Sequence, residues 1–268
     1  MKLSIITINY NNSAGLQRTI ESVLSQTWKD YEWIVIDGGS TDGSLDIIKK
    51  HASHFSWWCS EPDRGIYNAM NKGITHAKGE YLNFLNSGDC FYSSDSLSGL
   101  FKNTYIEDIL ICDAIYMYNG HEIVFCDASS CNYDYDFFMR GTLPHQASFF
   151  KRTTFDKFGN YDESLKIVAD WKFFVETIYY GGATTKYVPI KMCLYEGNGI
   201  STGETMQNER KMVTDQLFHP HIQKDIFILT EYKKELLFIK QSRITRTLYK
   251  IIYRLAQLII DVRYILKK

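Results

Sequence analysis

Largely apolar runs separated by polar loops and helix-period segments organise the first ninety residues. Leu3 to Ile8 breaks at Asn9-Tyr10-Asn11-Asn12-Ser13, after which Leu16, Ile20, Val23 and Leu24 recur at helical spacing. This predicts a strand, a polar loop and a helix capped by Asn12 or Ser13, although a cluster of Asn is also ordinary loop composition. The pattern then repeats. Glu32 to Ile36 is a strand that ends in Asp37-Gly38-Gly39-Ser40-Thr41-Asp42-Gly43, and a helix follows from Ser44 to about His54 with Leu45, Ile47 and Ile48 inward. Phe55 to Cys59 predicts a third strand, opening into Ser60-Glu61-Pro62-Asp63-Arg64-Gly65 and a helix from Ile66 or Tyr67 to near Gly73 or Gly79. Tyr81 to Leu85 is a fourth, ending in Asn86-Ser87-Gly88-Asp89. Short apolar strands alternating with helices predict an α/β chain with a parallel, doubly wound sheet, whose strand ends deliver polar groups to one edge.

The second hundred residues are less regular. A helix after Ser94 leads to Gly99 to Asn103, and Ile109 to Ala114 predicts a strand. Tyr116 to Asn119 and Glu122 to Cys126 predict a small hairpin around Asn119-Gly120, an antiparallel edge on the sheet. Asp127 to Tyr135 predicts a loop. Ser148 to Lys151 and Val188 to Tyr195 predict further strands, and the chain turns helical from about Glu204.

Composition narrows the picture. With 268 residues, 45% of them hydrophobic and only 4 Pro, the chain can bury one sizeable core with a small appendage. A formal net charge of -1 argues against nucleic acid as partner. No apolar run is long enough for a signal peptide or a membrane-spanning helix, which places the expected location in the cytoplasm. Six cysteines without a Cys-x-x-Cys pair read as reduced thiols. The 19 tyrosines could stack on sugars or simply sit half-buried at the surface.

Candidate chemistry lies at the strand ends. The Asp37 loop is glycine-rich but lacks Gly-x-Gly-x-x-Gly spacing, and no Gly-x-x-x-x-Gly-Lys-Ser/Thr loop occurs. Asp37 and Asp42 would repel a pyrophosphate without a metal. A nucleotide held by base and ribose, with its phosphates on a divalent ion, fits the acids better.

Thr7 to Asn12, Gln26-Thr27, Asp37 to Gly43, Asp63 to Gly73, Gly79-Glu80 and Asn86 to Asp89, in that order, resemble the family 2 inverting glycosyltransferases of bacterial polysaccharide and O-antigen synthesis. The resemblance covers roughly residues 1 to 200. It implies the GT-A nucleotide-diphospho-sugar transferase fold: a mixed, mostly parallel central sheet flanked by helices, here with a helical C-terminal extension. The implied division is a catalytic domain over 1–203, with a nucleotide half to about residue 92, and an extension over 204–268. Thr7, Asn9 and Asp37 would face the base and ribose, and Asp63 and Arg64 the base and diphosphate. Either of Asp37 and Arg64 could instead be a loop cap or a solvated ion-pair partner. At the family's Asp-x-Asp metal motif this chain reads Asn86, Ser87, Gly88, Asp89. Either Asp89 is the retained ligand of Mg²⁺ or Mn²⁺, or it neighbours a weakened site whose first Asp has become Asn86. Asn86 and Ser87 then fall on the donor side.

The resemblance also matches His145-Gln146 to acceptor or diphosphate contact, and Asp170 in Ala169-Asp170-Trp171 to the general base. Asp is equally a preferred N-cap for the helix beginning there. Gly197 to Thr202 resembles a late loop over the donor. The implied function is inverting transfer of a sugar from a nucleotide-diphosphate donor, a UDP-sugar before others, to a saccharide or lipid-linked acceptor in surface polysaccharide synthesis. The alternative is a non-catalytic nucleotide-sugar or glycan-binding relative. Finally, Ile252, Leu255, Ala256, Ile259, Val262 and Leu266 recur on one side of the tail with Arg254, Arg263, Lys267 and Lys268 contributing charge. This pattern suits either an interfacial helix on the inner leaflet or a helix packed on the domain or on a second subunit of a homodimer.

Overall fold

The computed structural model describes residues 1–118, 121–125, 132–195 and 203–218, with helical pieces at 223–224, 228–229 and 231–232. Contacts divide the chain into two units, Met1–Arg210 and Lys211–Lys268. The first unit opens as the pattern predicts: β1 Leu3–Asn9, α1 Ser13–Leu24, β2 Tyr31–Asp37, α2 Ser44–His51, β3 Trp57–Ser60, α3 Ile66–His76 and β4 Tyr81–Phe84. β2 and β4 lie on either side of β1, β3 lies outside β2, and all three pairings are parallel. The third strand begins two residues later than its hydrophobicity suggested, because Ala52–His54 tightens into a 3₁₀ turn that carries α2 onward.

Strand alternation sends Leu3, Ile5, Trp33 and Val35 to a core shared with Leu16, Ile20 and Val23 of α1 and Ile48 of α2, all at most 1% exposed. Ile6 and Ile36 point to the other face, where α3 comes so close that a Cβ on Gly73 would lie 2.4 Å from Ile6 Cγ2. Full burial of each such aliphatic or aromatic side chain stabilises the fold by about 1.5–3 kcal/mol.

The remaining strands are β5 Cys90–Phe91, β6 Ile109–Tyr118, β7 His121–Val124, β8 Ser148–Lys151 and β9 Thr185–Tyr195. They complete one mixed sheet ordered β3-β2-β1-β4-β8-β6-β9-β5, with β7 paired to β6. The C-terminal half is largely antiparallel; β6 with β9 is its one parallel pair among the described residues. The expected separate strand and hairpin arm are a single ten-residue strand. β6 is central rather than an edge, since it runs between β8 and β9 before its end pairs with β7.

Helices α4 Ser96–Phe101, α5 Tyr135–Arg140, α6 Arg152–Phe158, α7 Ala169–Phe174 and α8 Glu204–Leu217 complete the described elements. α7 widens into a π-helical turn over Val175–Tyr180. α5 replaces the end of a predicted loop: Asp134 caps it, its side chain accepting from Phe137 N at 3.0 Å. Residues 126–131, the late loop 197–202 and the amphipathic tail lie outside the described residues. No helix among those described is long and apolar enough to cross a membrane.

Candidate functional site

Register builds one side of the site. Asn9 of β1 stands opposite Asp37 of β2, and Asp37 opposite Ser60 of β3, so the three polar residues form one rung at the C-terminal edge. Asp37 is wholly buried. Its Oδ1 accepts from Asn9 Nδ2 at 2.7 Å and Ser40 Oγ at 2.5 Å, and its Oδ2 from Ser40 N at 3.0 Å and Ser60 Oγ at 2.6 Å. Burial alone would raise its pKa, but the bonds from Ser40, Ser60 and Asn9 prevail and hold the carboxyl below its ordinary value. Four donors fill the roughly four lone-pair positions of a carboxylate. Asp37 therefore locks the loop, while the neighbouring Asn9 Oδ1 is buried without a partner.

The loops after β1 and β2 are laced together. Asn11 Oδ1 accepts from Thr41 N at 2.8 Å, Asp42 Oδ2 accepts from Ser13 N at 2.7 Å, and Asn12 caps α1 through Gly15 N at 3.1 Å. Bonds to Ser44 and Ser13 bring the Asp42 pKa to about 2. Asp63 packs against Gly38: a Cβ there would lie 2.6 Å from Asp63 Oδ2, so a larger residue would have to push the Asp63 carboxylate aside. Thr7 is the exception among the residues expected at the base. It is 0% exposed and its hydroxyl accepts from Trp33 Nε1 at 3.0 Å. Thr7 shares a face with Asn9 but lies one step deeper along β1, opposite Val35, so its side chain belongs to the sheet interior and not to the edge.

The turn after β4 forms the centre. Ser87 N bonds to Ile8 O, Asn12 Nδ2 donates to Ser87 O at 3.0 Å, and Gly88, at φ 107°, donates its N–H to Thr19 Oγ1. Helix α1 thus fixes Asn86-Ser87-Gly88-Asp89 from beneath. The Asn86 amide nitrogen lies 3.3 Å from His145 Nε2, and its Oδ1 is buried without a partner. No group of three His, Cys, Asp or Glu able to hold a metal occurs among the described residues. One carboxylate, Asp89, and one unpartnered amide oxygen in the same turn suit a hard cation whose remaining positions come from a diphosphate and water.

His145 joins this turn to the other side. Its Nδ1 stands 3.0 Å from Asp170 Oδ2, while the Tyr67 hydroxyl, with one proton to give, lies 3.0 Å from Asp170 Oδ1 and 2.5 Å from Ile167 O. Burial would raise the Asp170 pKa, but His145, the Trp171 amide and Tyr67 together lower it below the ordinary carboxylate value. Burial disfavours the His145 cation; the bond to Asp170 and the charges of Asp170 and Asp89 outweigh it, so its pKa is raised. Asp170 is the second residue of α7. The N-cap is Val168, with no side-chain cap bond, so the capping alternative for Asp170 is set aside. The neighbouring Gln146 is buried, and its carbonyl, with that of Ser148, accepts from Asn83 Nδ2 at 3.0 Å.

Arg64 stands apart from that cluster. Its side chain is 79% exposed and pairs with Glu163 Oε2 at 2.6 Å, the solvated ion pair that its sequence context allowed. Asn68 and Asn71 of α3 hold the same Glu163 at 2.8 and 3.0 Å. Sequence reasoning missed Tyr67, Glu163 and these two asparagines as site residues. The signal was present: Tyr67, Asn68 and Asn71 are polar groups on an otherwise buried helix, and buried polar groups need partners.

Comparison with known proteins places the chain in a family. The profile of "Glycosyl transferase family 2" matches residues 4–156. An uncharacterized glycosyltransferase of Mycobacterium tuberculosis is 34% identical over 212 residues, covering 75% of this chain and 77% of that protein. A PGL/p-HBAD biosynthesis glycosyltransferase of Mycobacterium bovis is 30% identical over 204 residues, covering 74% and 78%. Among solved structures, S. aureus TarS 1-349 in complex with UDP-GlcNAc aligns with a TM-score of 0.62 at 21% identity, covering 77% of this chain and 61% of that one. The mannosyltransferase PcManGT of Pyrobaculum calidifontis, in complex with GDP-Man and Mn²⁺, aligns with a TM-score of 0.58 at 18% identity, covering 72% and 56%. At such identities the structures establish a shared fold, and the chain spans less than two thirds of the length of either.

Proposed function

The chain belongs to glycosyl transferase family 2, and from that premise we propose that it transfers a sugar from a UDP-sugar to a saccharide or lipid-linked acceptor in surface polysaccharide synthesis, with inversion at the anomeric carbon. The observation that carries the reading is the Asp170 carboxylate. It is held on both oxygens by Tyr67 and His145, has a lowered pKa, and is joined through His145 to the Asn86 turn. In a single displacement, the acceptor hydroxyl oxygen attacks the anomeric carbon, its proton passes to the Asp170 carboxylate, and the bond to the diphosphate breaks. A base that is ionised at neutral pH can take that proton.

The β1–β3 rung fits the nucleoside side, with Asn9, Asp63 and the loop that Asp37 locks. Arg64, released from Glu163, would add charge-assisted bonds to the diphosphate, and Ser87, His145 and Gln146 fit the diphosphate and acceptor side. Asp89 and the Asn86 amide oxygen are the groups that would hold Mg²⁺ or Mn²⁺, which neutralises the leaving diphosphate when bound. The names of the relatives support the substrate class: UDP-GlcNAc is bound by TarS and GDP-Man with Mn²⁺ by PcManGT.

Wild type and Asp170→Asn are to be compared on a panel of nucleotide sugars, following donor turnover. The variant should lose about 10²–10⁴-fold in rate, the range of general base catalysis. It should retain a UDP-induced thermal shift that depends on Mn²⁺ in both proteins. Equal turnover by the two would remove Asp170 from the base role. The reading of a non-catalytic relative, favoured by Asn86 and Gly88 in the metal motif, requires nucleotide binding by wild type with no turnover of any donor.

A further inference from the structure

Two consecutive residues of α8, Glu209 and Arg210, fall within the same unit as the site and reach both loops that carry its central pair. Glu209 takes two successive backbone amides: Oε1 accepts from Lys166 N at 2.8 Å and Oε2 from Ile167 N at 2.9 Å. The carbonyl of that same Ile167 lies 2.5 Å from the Tyr67 hydroxyl, whose one proton it shares with Asp170 Oδ1 at 3.0 Å. Glu209 therefore steadies the segment that orients the Tyr67 hydroxyl.

Arg210 acts on the opposite side. Its guanidinium donates to the carbonyl of Gly141 at 2.5 Å and to that of Phe138, and lies over the Trp171 ring with Cζ 4.6 Å from the centroid. Trp171 Nε1 donates to the same Phe138 carbonyl at 2.9 Å. Phe138 to Gly141 closes α5 and leads through Thr142-Leu143-Pro144 to His145, while Trp171 follows Asp170 directly. Arg210 thus ties the segment entering His145 to the residue beyond Asp170. The hydrogen bonds of Glu209 and Arg210 go to backbone, Arg210 also lies over one ring and feels the charge of Asp170, and together they bracket the His145–Asp170 pair.

We propose that Glu209 and Arg210 are positioning residues that hold Tyr67, His145 and Asp170 in the geometry the reaction needs. The proposal rests on the reading of Asp170 as base. Ordering two long charged side chains costs conformational entropy that a solvent-facing helix would not incur. Here the order goes into two carboxylate bonds to amides, and into one guanidinium nitrogen, Nη2, shared between two carbonyls while the planar group lies over the Trp171 ring. A pair held by adjacent residues of one helix cannot spread without breaking bonds on one side or the other.

The test compares Glu209→Gln, Arg210→Met and Arg210→Lys with wild type and Asp170→Asn in the full chain. Donor turnover, the UDP-induced thermal shift and circular dichroism are the measurements. Misplacement of a reacting group by an ångström can cost on the order of 10²-fold, so Glu209→Gln and Arg210→Met should lower kcat by about 10- to 100-fold. The donor KM and the UDP response should stay at wild-type values. Arg210→Lys keeps the charge and the aliphatic stem but not the planar group that lies over Trp171, and its kcat should fall between wild type and Arg210→Met. If Arg210→Met does not fold, Glu209→Gln and Arg210→Lys decide the matter. Folded variants with kcat within about twofold of wild type, or with UDP affinity lost in parallel with kcat, would overturn the proposal. Asp170→Asn separates the causes of failure. An inactive Asp170→Asn beside normal Glu209 and Arg210 variants removes only the positioning role, whereas a fully active Asp170→Asn removes the base and the positioning role together.

Discussion

Asp37 shows how a residue's neighbours change its meaning. As a letter after an apolar run it promised an acid presented to a ligand. In the fold it is buried, with all its acceptor positions filled by Asn9, Ser40 and Ser60, and its low pKa follows from those bonds. Replacing it with Asn would turn one acceptor oxygen into a donor facing another donor. Leaving such a buried group unsatisfied costs about 1–3 kcal/mol. Asp37→Asn should therefore lower the free energy of urea unfolding by that amount and raise the donor KM, because the loop over Gly38 and Asp63 loosens. A rise in KM with unchanged stability would mean instead that Asp37 touches the nucleotide directly. Position in the strand signalled Asp37, yet only the rung shared with Asn9 and Ser60 decided that it locks the loop. Thr7, two residues before Asn9 and on the same face, lies deeper along the strand and is buried against Trp33.

At the scale of elements, the first four strands and three helices were legible because each carries a largely apolar run or a helical stripe. β6, α5 and the pairings of β8 and β9 were not, since they follow from which neighbours a strand meets across the sheet rather than from its own pattern. The start of α7 carries a measurable linkage. Lys172 Nζ stands 2.6 Å from Asp162 Oδ2, and this bond, with those from Ser164, brings the Asp162 pKa to about 2. An unfolded Asp titrates near 3.9, so between about pH 4 and 2 the unfolded chain binds more protons. The contribution is present above that window and is lost as pH falls through it. Asp162→Asn should show a smaller fall in Tm between pH 4 and 2 than wild type, by roughly the share of one exposed to half-buried pair. Identical acid profiles would show that the pair adds nothing to the stability of the α7 region. Asp42, also held at about 2, fades in the same window, so the variant should lose only part of the wild-type slope.

For the whole molecule, the division after Arg210 sets off a second unit, Lys211–Lys268, whose sequence ends in the amphipathic pattern of Ile252, Leu255, Ala256, Ile259 and Val262 with basic neighbours. An apolar face with basic flanks binds anionic bilayers through buried area and charge. The full chain should float with vesicles containing anionic lipid, and the chain truncated at residue 239 should not. Flotation by both, or by neither, would exclude the tail as a membrane anchor. What the sequence by itself determined is the alternation of strand and helix, the polar strand ends and the ordered motifs that mark the family, because periodicity and short-range turn chemistry are local properties of the chain. What only the tertiary structure decided is which polar groups meet. Tyr67, His145 and Asp170 are brought together across separations of 25 and 103 residues, and Arg64 and Glu163 across 99. Such meetings arise from sheet order and helix packing, where the need to satisfy every buried polar group selects partners that no local pattern records.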